Sequence, residues 1–360
     1  MNTDEIIAKI KRDGGLNDAD LTGANLSHQD LSGIILEGVR LQKANLEGVK
    51  LVNSSLIRVN LTGAGLAGAD LTGCRFDEVD LAGAQMGKAV LADASLQKVS
   101  LVGADLSGAD LGNMYAGNCD LTGAKCLGTT FINASLHECK LNAMDLTGAN
   151  LNRLMAGGSD FSGAIFNRTD LTKALLVESK LEKQRFPGCI LFMTIFDKCH
   201  MKEANFSGLD LTQTSFANTD LTAAQFTKAR GKYVTFGEIT APGADFSDVD
   251  FFMVRFSKAR LTGAIFHRAR IEQSLFDDTR LEKCDFRRAE LPYTDFSRAV
   301  VAGADFSDTR LDRANFHGVH REEAVWGGAD TGTIYETDPD LWAAENWTAP
   351  DRRRKRRNEK

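Results

Sequence analysis

An apolar residue stands at every fifth position of this chain from Leu16 to Phe316, and no other sequence feature restricts the fold as strongly. All but six of these 61 positions hold Leu, Phe, Met or Ile, and a small or apolar residue usually lies two positions earlier. An α-helix repeats its apolar residues at a spacing of 3.6 and a strand at a spacing of 2, so this pattern fits neither. Self-similarity at one fixed period is typical of a solenoid, in which each repeat buries its apolar face only by stacking on a neighbour.

A second, longer period of twenty residues is also present. The column that starts at Ala24 continues with Ala44 and Ala64, whereas the column that starts at Ala19 continues with Val39 and Val59. Neighbouring sides of the solenoid therefore have different core preferences. This difference predicts a coil of twenty residues with four sides, stacked on the next coil at the ~4.8 Å spacing of a sheet.

The repeated words themselves resemble a known family. ADLTGANL (19–26), ADLSGADL (104–111) and MDLTGANL (144–151) are similar to the A(D/N)LXX pattern of pentapeptide-repeat proteins, and the resemblance covers residues 16–316. It implies an all-β fold, a right-handed quadrilateral (four-sided) parallel β-helix, with the Leu or Phe and the residue two before it pointing inward. We expect about fifteen coils, with short helical N- and C-terminal caps.

The two ends depart from the repeat and suggest four segments. These are a capping helix (1–15), the β-helix (16–326), a C-terminal cap with a short helix (327–350) and a basic disordered tail (351–360). Ile6 and Ile10 give residues 3–12 an apolar stripe, and Asp338 followed by Pro339 is a helix N-cap signal. The tail is either solvated or an electrostatic tether to an acidic partner or nucleic acid.

Two features of the core modify the regular coil. Phe recurs at every tenth position from Phe186 to Phe316, which predicts rings on two opposite sides of the coil. The segment from Gly231 to Ala241 lacks two large central residues and is followed by Pro242, which predicts a bulged or widened coil.

Composition limits the classes of function. A net charge of −6 and a pI near 5.6 argue against general nucleic-acid binding, except through the basic tail. No apolar run is long enough for membrane insertion, and no signal peptide is recognisable. We therefore expect a bacterial cytoplasmic protein, or one that is secreted without a signal peptide.

All seven cysteines occupy inward positions, so we interpret them as small buried residues with free thiols. Cys119 and Cys139 are the pair that stacks on adjacent coils and could form a disulfide. The six histidines are scattered, and no nucleophile, phosphate-loop or metal-ligand motif is present. We expect no enzymatic activity, no cofactor and no metal.

The outward charges form columns of alternating sign at twenty-residue steps, as in Asp210, Arg230, Asp250 and Arg270. Such neighbours predict cross-strand ion pairs, each worth ~0.2–1 kcal/mol, rather than a basic or acidic face.

The candidate site consists of apolar side chains at outward positions. They form one predicted ridge, the apolar ridge, made of Tyr115, Met155, Leu175, Ile190, Phe192, Met193, Ile195, Tyr233, Phe252, Met253 and Tyr293. Exposed patches of this kind mark partner sites or oligomer interfaces, a homodimer included. The alternative is that the loops or the C-terminal tail fold back over the ridge.

These observations predict a protein-interaction scaffold or adaptor. Long, loop-free members of the family with a short N-terminal helix resemble accessory proteins of bacterial type VI secretion. The alternative is a DNA mimic that binds DNA gyrase and modulates its activity or quinolone resistance, as the resemblance to the family also implies. That role needs a continuously acidic face, but the column from Asp20 continues with Arg40 and Asn60.

Overall fold

The computed structural model describes residues 3–348, which form a four-sided parallel β-helix with a helix at each end. The helices are α1 (Thr3–Asp13) and α2 (Pro339–Glu345). Ten strands form one sheet: β1 (Gly15–Asn17), β2 (Ile35–Glu37), β3 (Ser55–Ile57), β4 (Arg75–Asp77), β5 (Ser95–Gln97), β6 (Tyr115–Gly117), β7 (Ser135–His137), β8 (Met155–Gly157), β9 (Leu175–Val177) and β10 (Ile195–Asp197). Three strands form a second sheet: β11 (Arg230–Lys232), β12 (Asp250–Phe252) and β13 (Arg270–Glu272).

Every coil pairs with the next at a register of twenty residues, as the sequence predicts. Gly15 is the parallel partner of Ile35, and isolated bridges continue this stacking as far as Tyr335. This pairing takes sixteen twenty-residue steps from Gly15 to Tyr335, so the coil count differs slightly from the fifteen expected, and thirteen of the paired segments are long enough to form strands. We name the faces A, B, C and D after their buried central residues, which are Leu16, Leu21, Leu26 and Leu31 in the first coil.

Turns between the faces explain the polar part of the repeat. The residue two places after each centre has a positive φ, for example 69° at Gly23, and forms a corner of the coil. The residue before the centre supports that turn: Asp20 Oδ1 accepts hydrogen bonds from the Thr22 amide (3.1 Å) and hydroxyl (2.7 Å). The Asp or Asn of the repeat therefore serves the backbone.

The phenylalanines stack on faces A and C, which confirms the prediction from their spacing. Phe256 lies parallel to Phe236 (4.8 Å between ring centroids) and Phe276 (4.6 Å). Its edge meets Phe246 (5.5 Å) and Phe266 (5.8 Å) of the opposite stack. Trp326 continues the face C stack 4.5 Å beyond Phe306. The second half of the core is thus two ring stacks in edge-to-face contact.

The prediction of a bulged coil near Gly231 is wrong. Arg230 and Lys232 keep their regular parallel pairing with the next coil, and the bridges on either side stay at twenty residues. A Cβ on Gly231 would lie 2.7 Å from Val234 Cγ2, so the valine fills the space that a larger central residue would take. The core volume is conserved within the coil, and no backbone adjustment follows.

Helix α1 covers the N-terminal end of the core, whereas α2 packs against the surface of the last coils and has no buried residue. Ile6 and Ile10 of α1 are buried against the first coil. Asp338 caps α2 by accepting hydrogen bonds from the Asp340 and Leu341 amides. The α2 residue Glu345 accepts a hydrogen bond from buried His317 Nε2 (3.2 Å), whose Nδ1 in turn accepts from the Asp338 amide (3.2 Å). The predicted tail (351–360) lies outside the described residues.

The seven cysteines are buried and free, and Cys119 and Cys139 are not bridged. Six of them direct Sγ at the carbonyl oxygen 23 residues earlier, as Cys74 does toward Leu51 (2.7 Å). Buried threonines make the same bond, for example Thr129 to Leu106 (2.7 Å). These thiols act as small side chains with a weak donor.

Candidate protein interaction surface

The structure places the predicted apolar ridge on the outside of the β-helix. Nine of its eleven side chains are exposed, from 39% at Met193 to 53% at Tyr233, and Leu175 and Phe252 are half-buried. The ridge covers about nine coils from Tyr115 to Tyr293, or ~43 Å at the strand spacing of a sheet. It has two parts, which meet at residues 190–195.

The first part lies on face A and forms a groove. Met155, Leu175 and Ile195 are successive register partners on β8, β9 and β10, and Ser135 links Tyr115 to Met155 in the same ladder. The groove has a volume of about 400 Å³. It is lined by Tyr115, Ser135, Leu136, His137, Met155, Ala156, Gly157, Leu175 and Val177. We call it the face A groove.

Gly157 gives the face A groove its depth, because it occupies an outward strand position and leaves no side chain above the sheet. The space above Gly117, two coils earlier in the same column, is filled by other side chains. A Cβ on Gly117 would lie 2.7 Å from the Tyr115 hydroxyl, because the tyrosine ring leans over the glycine. Beneath the floor, central Ala156 is paired with buried Leu154, so the core stays filled. The depression is therefore a surface feature and not a packing defect.

The second part follows the corner between faces D and A. Met193, Tyr233, Met253 and Tyr293 lie there at corner positions with φ between 53° and 60°. Many non-glycine residues in residues 3–348 have a positive φ, yet these four are the only large apolar ones among them. A left-handed conformation costs a side chain of this kind roughly 1–2 kcal/mol. Fold stability therefore does not account for the choice of these four residues.

Neither end of the described chain covers the ridge. Helix α2 packs on the last coil through His317 and Gly318, where a Cβ on the glycine would lie 2.6 Å from the Trp342 ring. Arg298 contacts Glu345 of the same helix at 3.5 Å. None of these is a ridge residue. Helix α2 therefore does not lie on the ridge, and the predicted tail that could fold back over it lies outside the described residues.

Charges elsewhere on the surface are largely paired between coils, as the sequence predicts. Arg230 lies 3.2 Å from Asp210, and Glu290 lies 3.5 Å from Arg270 and 3.7 Å from Arg310. The alternation of sign leaves these columns without a basic or acidic stripe. Exposed pairs of this kind contribute at most ~1 kcal/mol each.

A polar depression of about 700 Å³ also lies on face A, nearer the C-terminus. Its lining mixes Arg255, Lys258 and Arg298 with Glu238 and Asp277, and it contains neither His nor Cys. Among residues 3–348, no cluster of His, Cys, Asp or Glu could hold a metal ion. Neither helix in that range is long and apolar enough to cross a membrane.

Comparison with known proteins agrees with this geometry. A family model for pentapeptide repeats matches the chain over residues 19–56, 40–77, 74–113, 117–153, 157–191, 195–230, 234–268, 264–301 and 293–320. No match to this sequence is found among curated proteins.

Solved structures of pentapeptide repeat proteins are similar to this chain. HetL of the cyanobacterium Nostoc sp. strain PCC 7120, involved in heterocyst differentiation regulation, is 20% identical over 94% of this chain and 98% of HetL (TM-score 0.21). A protein from the Arabidopsis thaliana thylakoid lumen is 29% identical over 30% of this chain and 65% of its own (TM-score 0.22). QnrB1, a plasmid-mediated fluoroquinolone resistance protein, is 16% identical over 69% of this chain and 96% of QnrB1 (TM-score 0.20).

Proposed function

Because this chain belongs to the pentapeptide repeat family, we propose that it is a non-enzymatic scaffold that binds another protein along its apolar ridge. The observation that carries the proposal is the face A groove, an apolar depression on the outside of the rod with Tyr115 and Met155 exposed in its lining. A rigid coil stack holds these side chains at fixed distances. Binding therefore requires little ordering of the scaffold itself, which favours affinity.

The face A groove is the proposed docking site for the partner. Met155 and Ile195 are exposed at its edge, and the glycine floor leaves room for an inserted side chain. Apolar anchors that fill such pockets supply most of the binding energy of an interface. We expect the partner to present one or two large apolar side chains from a segment that lies along the rod.

The proposed setting is the bacterial cytoplasm, and an accessory role in type VI secretion is the first pathway to test, on the resemblance given above. A gyrase-binding DNA mimic is not the proposal because the outward columns alternate in charge. Asp20, for example, is neutralised by Arg40 on the next coil at 3.0 Å. A DNA mimic requires an uninterrupted array of negative charge.

The test is capture of partners from a bacterial lysate by the parent and by three double variants. Met155→Asp with Leu175→Asp places charge in the face A groove, and Phe192→Asp with Phe252→Asp places it beside the corner. Ser55→Asp with Ser95→Asp adds the same charge to the same face A column outside the ridge. All three should keep the circular dichroism spectrum and melting temperature of the parent, since every substituted side chain points outward.

We expect the groove variant to lose a protein that both the parent and the serine control retain. Equal capture by all four proteins would refute the ridge as the binding surface. Purified DNA gyrase is a separate arm: inhibition of supercoiling by the parent and equally by the groove variant would replace the scaffold with the DNA mimic.

A further inference from the structure

The corner between faces D and A carries a repeated series that spans six successive coils. Its outward residues are Met193, Gln213, Tyr233, Met253, Gln273 and Tyr293, which is the order Met, Gln, Tyr twice. All six side chains are exposed, and all six residues have a positive φ. At ~4.8 Å per coil the series is ~24 Å long. We call it the corner series.

We propose that the corner series is a homodimer interface on which a second copy of this chain packs in antiparallel orientation. The two-fold axis passes between Tyr233 and Met253, perpendicular to both rods. An interface of this kind must be complementary to itself, because each residue meets a different residue of an identical surface. The antiparallel order satisfies this requirement along the whole series.

The pairs created by that axis are chemically matched. Met193 lies opposite the partner's Tyr293, and Met253 lies opposite the partner's Tyr233. A thioether at the edge of an aromatic ring is a favourable contact. Gln213 lies opposite the partner's Gln273, and a side-chain amide both donates and accepts hydrogen bonds, so two amides can pair. Each of these pairs occurs twice, once on either side of the axis, so the full register makes six contacts, whereas a shift by one motif of three coils keeps the matches but leaves three.

The neighbouring column on face D supports the antiparallel order over the parallel one. In the antiparallel dimer, Lys232 lies opposite the partner's Phe252, and Glu272 lies opposite the partner's Thr212. Lys232 already lies over its own Phe252, with Nζ 5.9 Å from the ring centroid. A parallel dimer has its two-fold axis along the rods and would instead bring face D of one copy against face A of the other. It would therefore lose the contact between Lys232 and the partner's Phe252, in which a cation lies against an aromatic ring.

Charge also limits the interface to these six coils. The next corner residue beyond Tyr293 is Arg313, whose guanidinium lies 5.8 Å from the tyrosine ring. On the same axis it would meet the partner's Lys173, so both ends of the series finish in like-charged pairs. The surface is thus complementary in the middle and repulsive beyond it, which fixes the register.

This dimer would leave both face A grooves open, one toward each end of the pair of rods. The proposed dimer goes beyond the scaffold function and does not require that function. The mass of the purified protein in solution tests the dimer without any other partner. A dimer whose grooves bind no protein, and a monomer whose groove does bind one, are separate and recognisable outcomes.

The first experiment measures mass by sedimentation equilibrium at up to ~100 µM protein, far above the Kd of a specific interface. We expect a dimer for the parent and a rise of at least ~10-fold in the dissociation constant for Tyr233→Lys with Met253→Lys, the central pair. The matched control, Tyr115→Lys with Met155→Lys, adds the same charges to the face A groove and should remain dimeric. A monomeric parent, or equal weakening by both double variants, overturns the proposal.

The second experiment tests the antiparallel register with new thiols. All seven native cysteines are buried, so an introduced corner cysteine is the accessible one. Gln213→Cys with Gln273→Cys should give a covalent dimer on mild oxidation, and Gln213→Cys alone should not. Efficient crosslinking by the single variant would show that residue 213 meets itself, which contradicts the antiparallel axis.

A charge exchange provides an independent check of the same register. Met193→Lys alone should weaken the dimer, and adding Tyr293→Glu should restore it, because each lysine then faces a glutamate on the partner. In a parallel dimer the double variant would place like charges together at both positions and would weaken the dimer further. That result would reject the proposed arrangement.

Discussion

Replacing one ring of the stacked core tests whether the stacks contribute more than apolar volume. Phe256 is fully buried and touches four other rings, two in parallel and two by their edges, at 4.6–5.8 Å. A buried Phe→Ala change costs about 3–5 kcal/mol, and each aromatic pair is worth about 0.5–1.5 kcal/mol beyond its area. With four pairs lost, we expect Phe256→Ala to lower the free energy of unfolding by about 5 kcal/mol.

Two matched variants separate the contributions. Leu261→Ala empties the next side of the same region of the core, where the side chain is equally buried, and should cost about 3 kcal/mol. Phe256→Leu keeps most of the apolar volume and should cost about 2 kcal/mol through the lost ring contacts. The assay is guanidinium unfolding followed by circular dichroism, with linear extrapolation to water. If Phe256→Ala costs no more than Leu261→Ala, the ring geometry adds nothing and the reasoning fails.

Three further predictions concern the turns, the thiols and the C-terminal helix. Hydrogen bonds from the Thr22 side chain and amide, and then from Arg40, lower the pKa of Asp20 from 3.8 to about 2. The ionised Asp20 side chain therefore stabilises the fold fully above pH 3.8, and this contribution is lost as the pH falls toward 2. Melting temperatures should decline over that pH range, and they should decline less steeply in Thr22→Val. Burial raises the pKa of the Cys199 thiol to about 12, and all seven cysteines are buried and free. We therefore expect a thiol reagent to label none of them in the native protein and all seven in denaturant. Labelling of fewer than seven cysteines in denaturant would reveal a disulfide. Asp338→Ala removes the N-cap of α2 and should destabilise the docking of this helix by about 1 kcal/mol. The effect should appear as an earlier unfolding transition in tryptophan fluorescence. An unchanged transition would show that the cap is dispensable.

Periodicity made the fold predictable because the spacing of five and the column of twenty can satisfy only a stacked four-sided coil. The inward cysteines and the Phe stacks followed from the same register, whereas the two helices were predicted from an apolar stripe and an N-cap signal at the ends of the chain. Compensation between neighbouring side chains could not be predicted from this register. Gly231 suggested a bulge because its partner Val234 lies three residues further along, in the inward position of the next face. Small central residues change the fold only where nothing nearby fills their volume.

The candidate surface was predictable in part for the same reason. Outward apolar residues could be read from the register, and Met193, Tyr233, Met253 and Tyr293 are all members of the ridge predicted from the sequence. The glutamines of the corner series were missed because a polar residue at an outward position carries no signal by itself. The twenty-residue stacking of the coils places them in one series with the four apolar residues, and all six side chains are exposed.

Oxidation of methionine by dilute hydrogen peroxide, followed by peptide mass spectrometry, tests most directly whether the ridge is a contact surface. Within the described residues, the exposed methionines are Met155, Met193 and Met253, and all three lie on the ridge. The other methionines of that range, Met86, Met114, Met144 and Met201, are buried and serve as internal controls. We expect Met193 and Met253 to become protected as the protein is concentrated, and Met155 to become protected when a captured partner is added. Equal oxidation of all three exposed methionines under every condition would contradict the account.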